Sequence, residues 1–133
     1  MIRNVWSILC KDILTDQETN AVTYIQSIEE GAAAALPTLI SPVSIGTLWE
    51  KDSDQEEMLV ARIVFASPSG VEKQLLQTRE LTFGRQHQRL HFKINGLPVT
   101  EFGRHEVRVE IRQNGRWQTV SRLPLVVKKL ADK

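Results

Sequence analysis

The feature that most constrains this chain is a hydrophobic period of two residues. Successive side chains of a strand point to opposite sides, so this period predicts strands with one buried and one solvated face. The pattern is clearest at Leu90, Phe92, Ile94, Val107, Val109 and Ile111. Residues 58–65 are apolar at both alternating positions except at Arg62, which predicts a central strand covered on both sides.

Turn residues separate the predicted strands. Asn114 and Gly115 stand between two alternating segments, and Asn-Gly supplies the positive φ angles of a type I′ turn. We therefore predict a hairpin in which residues 106–112 pair with residues 117–122. Ser-Pro-Ser-Gly at residues 67–70 predicts a second turn.

Eight or nine such strands in 133 residues indicate an all-β chain with little or no helix. We predict an antiparallel β-sandwich of the Ig-like, Greek-key type, forming a single domain over residues 1–129 with a tail over residues 130–133. The alanines at residues 32–35 do not fit the pattern, because alanine favours helices and disfavours strands. They predict either one helical turn ended by Pro37 or a loop.

The composition is that of an ordinary globular protein, with 41% hydrophobic and 25% charged residues. No apolar run approaches the roughly 18 residues that cross a membrane, and the N-terminus has no apolar region typical of a secretion signal. The single cysteine, Cys10, excludes an internal disulfide and fits a reducing compartment. We therefore expect a cytoplasmic protein that does not associate with membranes.

The charges are unevenly distributed along the chain. Residues 1–66 carry 4 Lys and Arg against 10 Asp and Glu, whereas residues 67–133 carry 13 against 6. Such an asymmetry indicates either a basic surface for an anionic partner or two halves that interleave and neutralise each other.

Short motifs spread over almost the whole chain resemble a family of uncharacterised single-domain bacterial proteins, defined only as a domain of unknown function. They include Ser-Ile-Leu-Cys at 7–10, Thr-Leu-Trp at 47–49, Arg-Ile-Val-Phe at 62–65, Gly-Leu-Pro at 96–98 and Pro-Leu-Val-Val at 124–127. His105 departs from the family, in which an aromatic residue such as tyrosine is expected after the glycine turn. The resemblance implies a bacterial source and a β-sandwich, and it brings no activity, cofactor or catalytic residue.

The residues predict no catalytic, cofactor or metal site. His87 and His91 share one face of a strand but are about 13 Å apart at about 3.3 Å per residue, too far to bind one ion unless the chain bends. Cys10 lies in an apolar strand, where a thiol is usually an inert small hydrophobe. The paired carboxylates lie in polar connections, and the chain has no G-x-S-x-G motif. We therefore expect a protein that is not an enzyme.

Basic residues on the solvated faces of two predicted strands are the best candidates for an anion-binding or nucleic-acid-binding site. If the strands pair, these side chains form one stripe. Ion pairs with Glu106 and Glu110 would explain the same charges without a ligand. The candidate residues are Arg85, Arg89, His91, Lys93, Arg104, Arg108 and Arg112. Three tryptophans, Trp6, Trp49 and Trp117, are expected in the core rather than on a sugar-binding surface.

We therefore expect a non-catalytic binding or assembly module of a bacterial cytoplasm, with an unidentified protein partner and no cofactor. The alternative is an anion or nucleic-acid binder, and an enzyme ranks third. Residues 123–127 predict an exposed apolar edge strand through which a homodimer forms. The competing hypothesis is a monomer in which residues 31–36 cover that edge.

Overall fold

A computed structural model describes residues 1–130, and the elements in this range are strands joined by turns and bends, without a helix. The strands are β1 (Ile2–Thr15), β2 (Val22–Ser27), β3 (Glu30–Ala33), β4 (Thr38–Ile40), β5 (Val43–Lys51), β6 (Glu57–Ala66), β7 (Glu72–Gln77), β8 (Leu81–Phe83), β9 (His87–Ile94), β10 (Leu97–Val99), β11 (Gly103–Gln113) and β12 (Arg116–Lys129).

These strands form three sheets. The first has the order β2-β1-β5-β9, and the second has the order β3-β12-β11-β6-β7, with β8 also paired to β6. The third contains only β4 and β10. All pairs are antiparallel except β3 with β12. The prediction of an all-β chain is confirmed, although residues 1–130 form 12 strands where eight or nine were expected. The prediction of a simple two-sheet Ig-like sandwich is wrong, because one sheet curls into a half-barrel and a third sheet is present.

The hydrophobic core lies between the first two sheets, where the alternating apolar positions of both sheets meet. The first sheet contributes Ile2, Leu9, Val43, Ile45, Trp49, Phe92 and Ile94; the second contributes Leu59, Ala61, Ile63, Phe65, Val107, Val109, Ile111, Leu125 and Val127. Buried Trp49 satisfies its indole N–H by donating to Thr47 Oγ1 over 2.6 Å, and that hydroxyl donates to the Leu90 carbonyl. Only Trp49 of the three tryptophans is fully buried as expected, since Trp6 is 37% exposed.

Polar side chains join the two sheets along one side of the core. The Ser121 hydroxyl of β12 donates to Asn4 Oδ1 over 2.6 Å and lies 2.8 Å from the Ser7 hydroxyl of β1. Asn4 also donates to the carbonyl of Leu48, next to a register shift in β1 between residues 4 and 6. These bonds close the side of the core where β1 and β12 meet.

The predicted hairpin and the central strand are confirmed. Arg112 pairs with Trp117 across the turn, where Asn114 and Gly115 have φ angles of 57° and 85°. Strand β6 lies between β11 on one edge and β7 and β8 on the other. Its predicted coverage on both faces fails at Met58, which is 49% exposed.

The alanine run at residues 32–35 forms no helical turn: its second half lies in the bend at residues 34–37, as the loop alternative predicted, but its first half belongs to residues 30–33. They form β3, which pairs in parallel with residues 126–129 of β12. The exposed edge predicted at residues 123–127 is therefore wrong at Val126 and Val127, where β3 covers β12, whereas Pro124 is exposed and no strand pairs with residues 123–125 on that edge within residues 1–130. The cover proposed for a monomer is present, as a strand rather than a loop. Of the predicted tail, Leu130 donates its N–H to the Ala33 carbonyl, and residues 131–133 lie outside the described residues.

Replacing Gly115 with valine should lower the free energy of unfolding by about 1–3 kcal/mol, because a β-branched residue resists a positive φ angle. Gly84→Val is the matched control. A Cβ meets open space at both positions, but only Gly115 has a positive φ. The control should cost less than about 0.5 kcal/mol in urea denaturation. Equal losses in the two variants would contradict the strain at the turn.

Candidate functional site

The hairpin of β1 and β2 folds back over the face of the first sheet that points away from the core. The register pairs Gly46 with Ile8 and Tyr24 with Ile13, so a straight β1 would place Tyr24 about 16 Å beyond Gly46 at about 3.3 Å per residue. The Tyr24 ring nevertheless lies directly against Gly46. Strand β1 must therefore bend sharply beyond its pairing with β5, which ends at Cys10.

Glycine at position 46 permits this close approach. A Cβ there would overlap the Tyr24 ring. Two further rings meet Tyr24 edge to face: Trp6 at 5.3 Å and His91 at 6.0 Å between ring centroids. Such edge-to-face pairs are favourable beyond the area they bury. An aromatic cluster thus holds the hairpin against strands β1, β5 and β9.

An open groove of about 610 Å³ lies between the folded-back hairpin and β9. The hairpin contributes Thr15, Asn20 and Val22 to one wall. Leu48 of β5 also lines the groove; it alternates with the core-facing Thr47 and Trp49, so the groove lies on the opposite face from the core. The second wall is made by Gly84, Arg85, His87, Gln88, Arg89 and His91.

The groove is basic. Arg89 Nη1 donates to the Asn20 carbonyl over 2.7 Å, which ties the hairpin turn to β9. Asn20 has a φ of 60°, a left-handed conformation that asparagine tolerates. Arg85 is exposed, and no carboxylate lies among the lining residues within the described chain. Positive charge at this wall is therefore not neutralised inside the groove.

Two histidines add hydrogen-bonding capacity to the same wall. Partial burial, and then the charge of Arg89, lower the pKa of His91 below its ordinary value of 6.5. The folded protein therefore favours neutral His91, and this group destabilises the fold as the pH drops through its ordinary pKa. His87 Nε2 lies 3.7 Å from Glu50, a carboxylate that also binds Arg3.

The seven basic residues predicted as one stripe do not lie together, because β9 and β11 do not pair. Strand β9 pairs with β5 in the first sheet, while β11 pairs with β6 and β12 in the second. Arg85, Arg89 and His91 line the groove, whereas Lys93 lines a second groove described below. Arg104, Arg108 and Arg112 belong to β11.

Ion pairs and stacking occupy two of the three arginines of β11. Arg108 donates to Glu106 over 2.9 Å and also binds Glu72. Arg112 lies 5.0 Å from the centroid of the Trp117 ring. The ion pairs anticipated as the alternative to a ligand site therefore account for Arg108, although one lies within β11 and the other reaches past β6 to β7, and a cation–π contact accounts for Arg112.

A second ion pair on this face joins the acidic half of the chain to the basic half. Arg62 donates to Glu110 over 2.8 Å, and Thr119 donates to the same carboxylate. Burial would raise the pKa of Glu110, but these hydrogen bonds outweigh it and hold the pKa below its ordinary value. Arg62 also lies 4.0 Å above the Trp117 ring, which leaves that tryptophan only partly exposed.

Sequence reasoning missed the hairpin side of the groove. The polar run at residues 15–20 marks a turn, but nothing in it marks a bend of the preceding strand back over the sheet. Only the glycine at position 46, which lies inside a predicted strand where glycine is unusual, signals a close approach. Asn20, Tyr24 and Trp6 were therefore not identified as neighbours of the basic residues.

Other reactive groups are separate from this groove or buried. Cys10 is fully buried, and burial raises the pKa of its thiol, with the nearby Asp12 carboxylate adding to the shift. Among the described residues, no three His, Cys, Asp or Glu side chains come together as they would to hold a metal ion. A search of residues 1–130 found no helix long and apolar enough to cross a membrane.

Comparison of the sequence with known proteins gives no relative: neither the protein-family models nor the curated protein sequences contain a match to the chain. The resemblance to a bacterial family of unknown function stays a prediction. The groove must therefore be interpreted from its own chemistry.

Cys10 should react slowly with a thiol reagent in native buffer, because its sulfur is buried and its thiol disfavours the reactive thiolate. The measurement is the rate of labelling by a chromogenic disulfide with and without 8 M urea, where about one equivalent should react rapidly only in urea. Stoichiometric labelling within minutes in native buffer would overturn this prediction and indicate a reactive cysteine.

Proposed function

We propose that this chain is a non-catalytic binding module of the bacterial cytoplasm whose basic groove holds an anionic ligand. The single observation that carries the proposal is the shared wall of Arg85 and Arg89, which faces a groove lined by no carboxylate within residues 1–130. Guanidinium groups bind phosphate, sulfate and carboxylate groups through charge-assisted hydrogen bonds.

The two arginines would contribute differently. The carbonyl of Asn20 already fixes the guanidinium of Arg89, so little side-chain entropy remains to be lost when an anion binds it. Arg85 is exposed and would swing onto the ligand. His91 supplies a polar group on the same wall, and Leu48 provides an apolar surface.

Several features support a binding role rather than catalysis. Covalent catalysis needs a nucleophile beside a base, and the polar residues that line the groove within residues 1–130 are arginines, histidines and amides, with Thr15 as the only hydroxyl among them. The buried thiol Cys10 does not belong to the groove wall. Its free state also agrees with a reducing compartment such as the cytoplasm, and the bacterial source rests on the family resemblance alone.

The test is titration with inorganic sulfate, followed by NMR shifts of the backbone amides. Sulfate should shift the amides of residues 84–91, and Arg85→Gln should weaken binding roughly tenfold, because a hydrogen bond to a charged group contributes about 1.5–3 kcal/mol. Arg104→Gln is the matched control, since it removes the same charge from an exposed site on β11. Equal weakening by both variants would mean general charge attraction and would contradict a built site.

The pH dependence of sulfate binding sharpens the test. Sulfate keeps its charge between pH 5 and 8, whereas His91 gains a proton as the pH falls below its lowered pKa. By linkage, a bound anion raises the pKa of His91, so affinity should increase with acidity, and His91→Gln should reduce that increase while His87, the second histidine of the wall, is retained.

Nucleic acid is the alternative anionic ligand. It is supported by Trp6, which is 37% exposed and lies in the aromatic cluster next to His91, since unpaired bases stack on such rings. A single-stranded oligothymidylate that binds far more tightly than sulfate, and loses affinity with Trp6→Ala, would favour this alternative. Binding unaffected by Trp6→Ala would leave the small-anion proposal in place.

Self-association also remains part of the proposal, although through another edge than residues 123–127. Strand β2 ends the first sheet, and its six residues carry no charged side chain. Charges on edge strands discourage pairing with another copy, so β2 is poorly protected. Two copies would pair their β2 strands around a two-fold axis.

Thr23→Lys should convert the proposed dimer to a monomer, because Thr23 is exposed on β2 and a lysine there places like charges near each other across the axis. Thr82→Lys on β8 is the control at another exposed strand position. Sedimentation at micromolar concentration distinguishes the species. A wild-type protein that sediments only at 15.1 kDa would contradict the dimer.

A further inference from the structure

The two main sheets are joined by hydrogen bonds on one side of the core and, in the part of the chain that the structure describes, are not paired with each other on the opposite side. Where β1 and β12 meet, the hydrogen bonds of Ser121 with Asn4 and Ser7 join the sheets. On the opposite side, β9 ends the first sheet and β7 ends the second, and within residues 1–130 the two strands do not pair with each other. A second groove, of about 400 Å³, lies between these two free edges.

Strand edges, rather than strand faces, line this groove. Its lining includes the consecutive residues 73–76 of β7 and 93–96 at the end of β9. Strand β7 ends the second sheet at this groove, and Leu75 has no partner on β6 because the register shifts there, so consecutive residues of β7 line the groove along its edge. Strand β7 pairs with β6 alone among the described strands, so its other edge presents unpaired backbone N–H and C=O groups.

Apolar side chains flank the free edge of β7. Leu75 and Leu76 are partly exposed there, and Leu39 of the β4–β10 ribbon is 60% exposed. The Leu39 side chain lies on Gly96, where a Cβ would overlap it. These leucines would contact alternate side chains of an added strand. In peptide recognition by strand addition, backbone hydrogen bonds give the affinity and such side-chain contacts give the specificity.

The charge of the groove determines which strand it favours. Lys73 and Lys93 extend from its two edges, and no carboxylate lies among its lining residues in the described chain. The neighbouring Glu72 directs its carboxylate to Arg108, on the outer face of the second sheet. The groove therefore combines an unpaired strand edge and leucine side chains with uncompensated positive charge.

We propose that this groove is a peptide-binding site in which an extended, acidic and apolar segment of a partner protein adds to β7 as a further strand. Backbone hydrogen bonds along residues 73–76 hold the segment, Leu39, Leu75 and Leu76 receive its apolar side chains, and Lys73 and Lys93 bind its carboxylates. The same lysines disfavour a second copy of this chain, because pairing two β7 edges would bring like charges together.

The experiment uses the whole protein and an eight-residue peptide of alternating valine and glutamate with blocked ends. The matched peptides are alternating valine and lysine, and the acidic peptide N-methylated at alternate residues. NMR shifts of the β7 amides and hydrogen exchange at residues 73–76 report binding. The acidic peptide should shift the resonances of these amides and protect them from exchange. The N-methylated peptide should bind at least tenfold more weakly, because one edge of the peptide strand then lacks its N–H donors.

Variants separate specific binding from general charge attraction. Lys73→Gln with Lys93→Gln should weaken the acidic peptide at least tenfold, while Lys129→Gln, an exposed lysine of β12, should change it less than twofold. Arg85→Gln should leave peptide binding unchanged, so this site can fail without the anion groove failing. Circular dichroism and urea denaturation confirm that each variant is folded.

Three results would overturn the proposal. If the acidic and basic peptides bound equally, the lysines would not select the charge of the peptide. If the N-methylated peptide bound as tightly as the acidic peptide, the peptide would not be held by strand pairing. Shifts confined to residues 84–91 would assign the peptide to the anion groove. Protection of residues 73–76 that rises with protein concentration in the absence of peptide would mean that a second copy occupies the edge.

Discussion

The bend of β1 is the constraint on which the rest of the structure depends. This strand pairs with β5 over residues 2–10 and with β2 over residues 10–15, and between these two pairings it turns the hairpin back over its own sheet. The outer face of the first sheet would otherwise expose Cys10, Gly46 and Leu48 to water. The hairpin covers that face at Gly46, so the centre of the first sheet is packed between the second sheet and the sheet's own extension, while the outward side chains of β9 stay open to the groove.

The bend also creates the candidate site. Without it, Asn20 would lie far from β9, and the hydrogen bond from Arg89 to its carbonyl would not form. The groove exists because the hairpin and β9 belong to opposite edges of one sheet and are brought face to face by curvature. Its positive charge then follows from the strand alternation of β9, which directs Phe92 and Ile94 to the core and Arg89 and His91 to the groove.

How far the sequence predicts this structure depends on whether the determining contacts are local. The alternation of Val107, Val109 and Ile111 and the Asn114-Gly115 turn specify β11, β12 and their register between the turn and Glu110, because strand period and turn type are local properties; the shift between Val109 and Glu110 has no such local signal. The parallel pairing of β3 with β12 could not be predicted from the sequence. The small side chains of the alanine run favour no particular partner strand, so the pairing depends on which strand edge the rest of the fold places next to it. The basic stripe failed for the same reason: residue parity places Arg89 and Arg108 on solvated faces, but strand order decides whether those faces are adjacent.

The proposal for the groove therefore depends most directly on the contact between Tyr24 and Gly46, and NMR can observe it without altering the chain. An aromatic ring over a glycine shifts the glycine Hα resonances strongly upfield and gives nuclear Overhauser effects between the Tyr24 ring protons and Gly46 Hα. Both signals are expected in the free protein, together with Overhauser effects from Tyr24 to Trp6 and His91. Gly46 Hα resonances at ordinary positions, with no Overhauser effect to Tyr24, would mean that the hairpin does not fold back and that the basic groove does not exist.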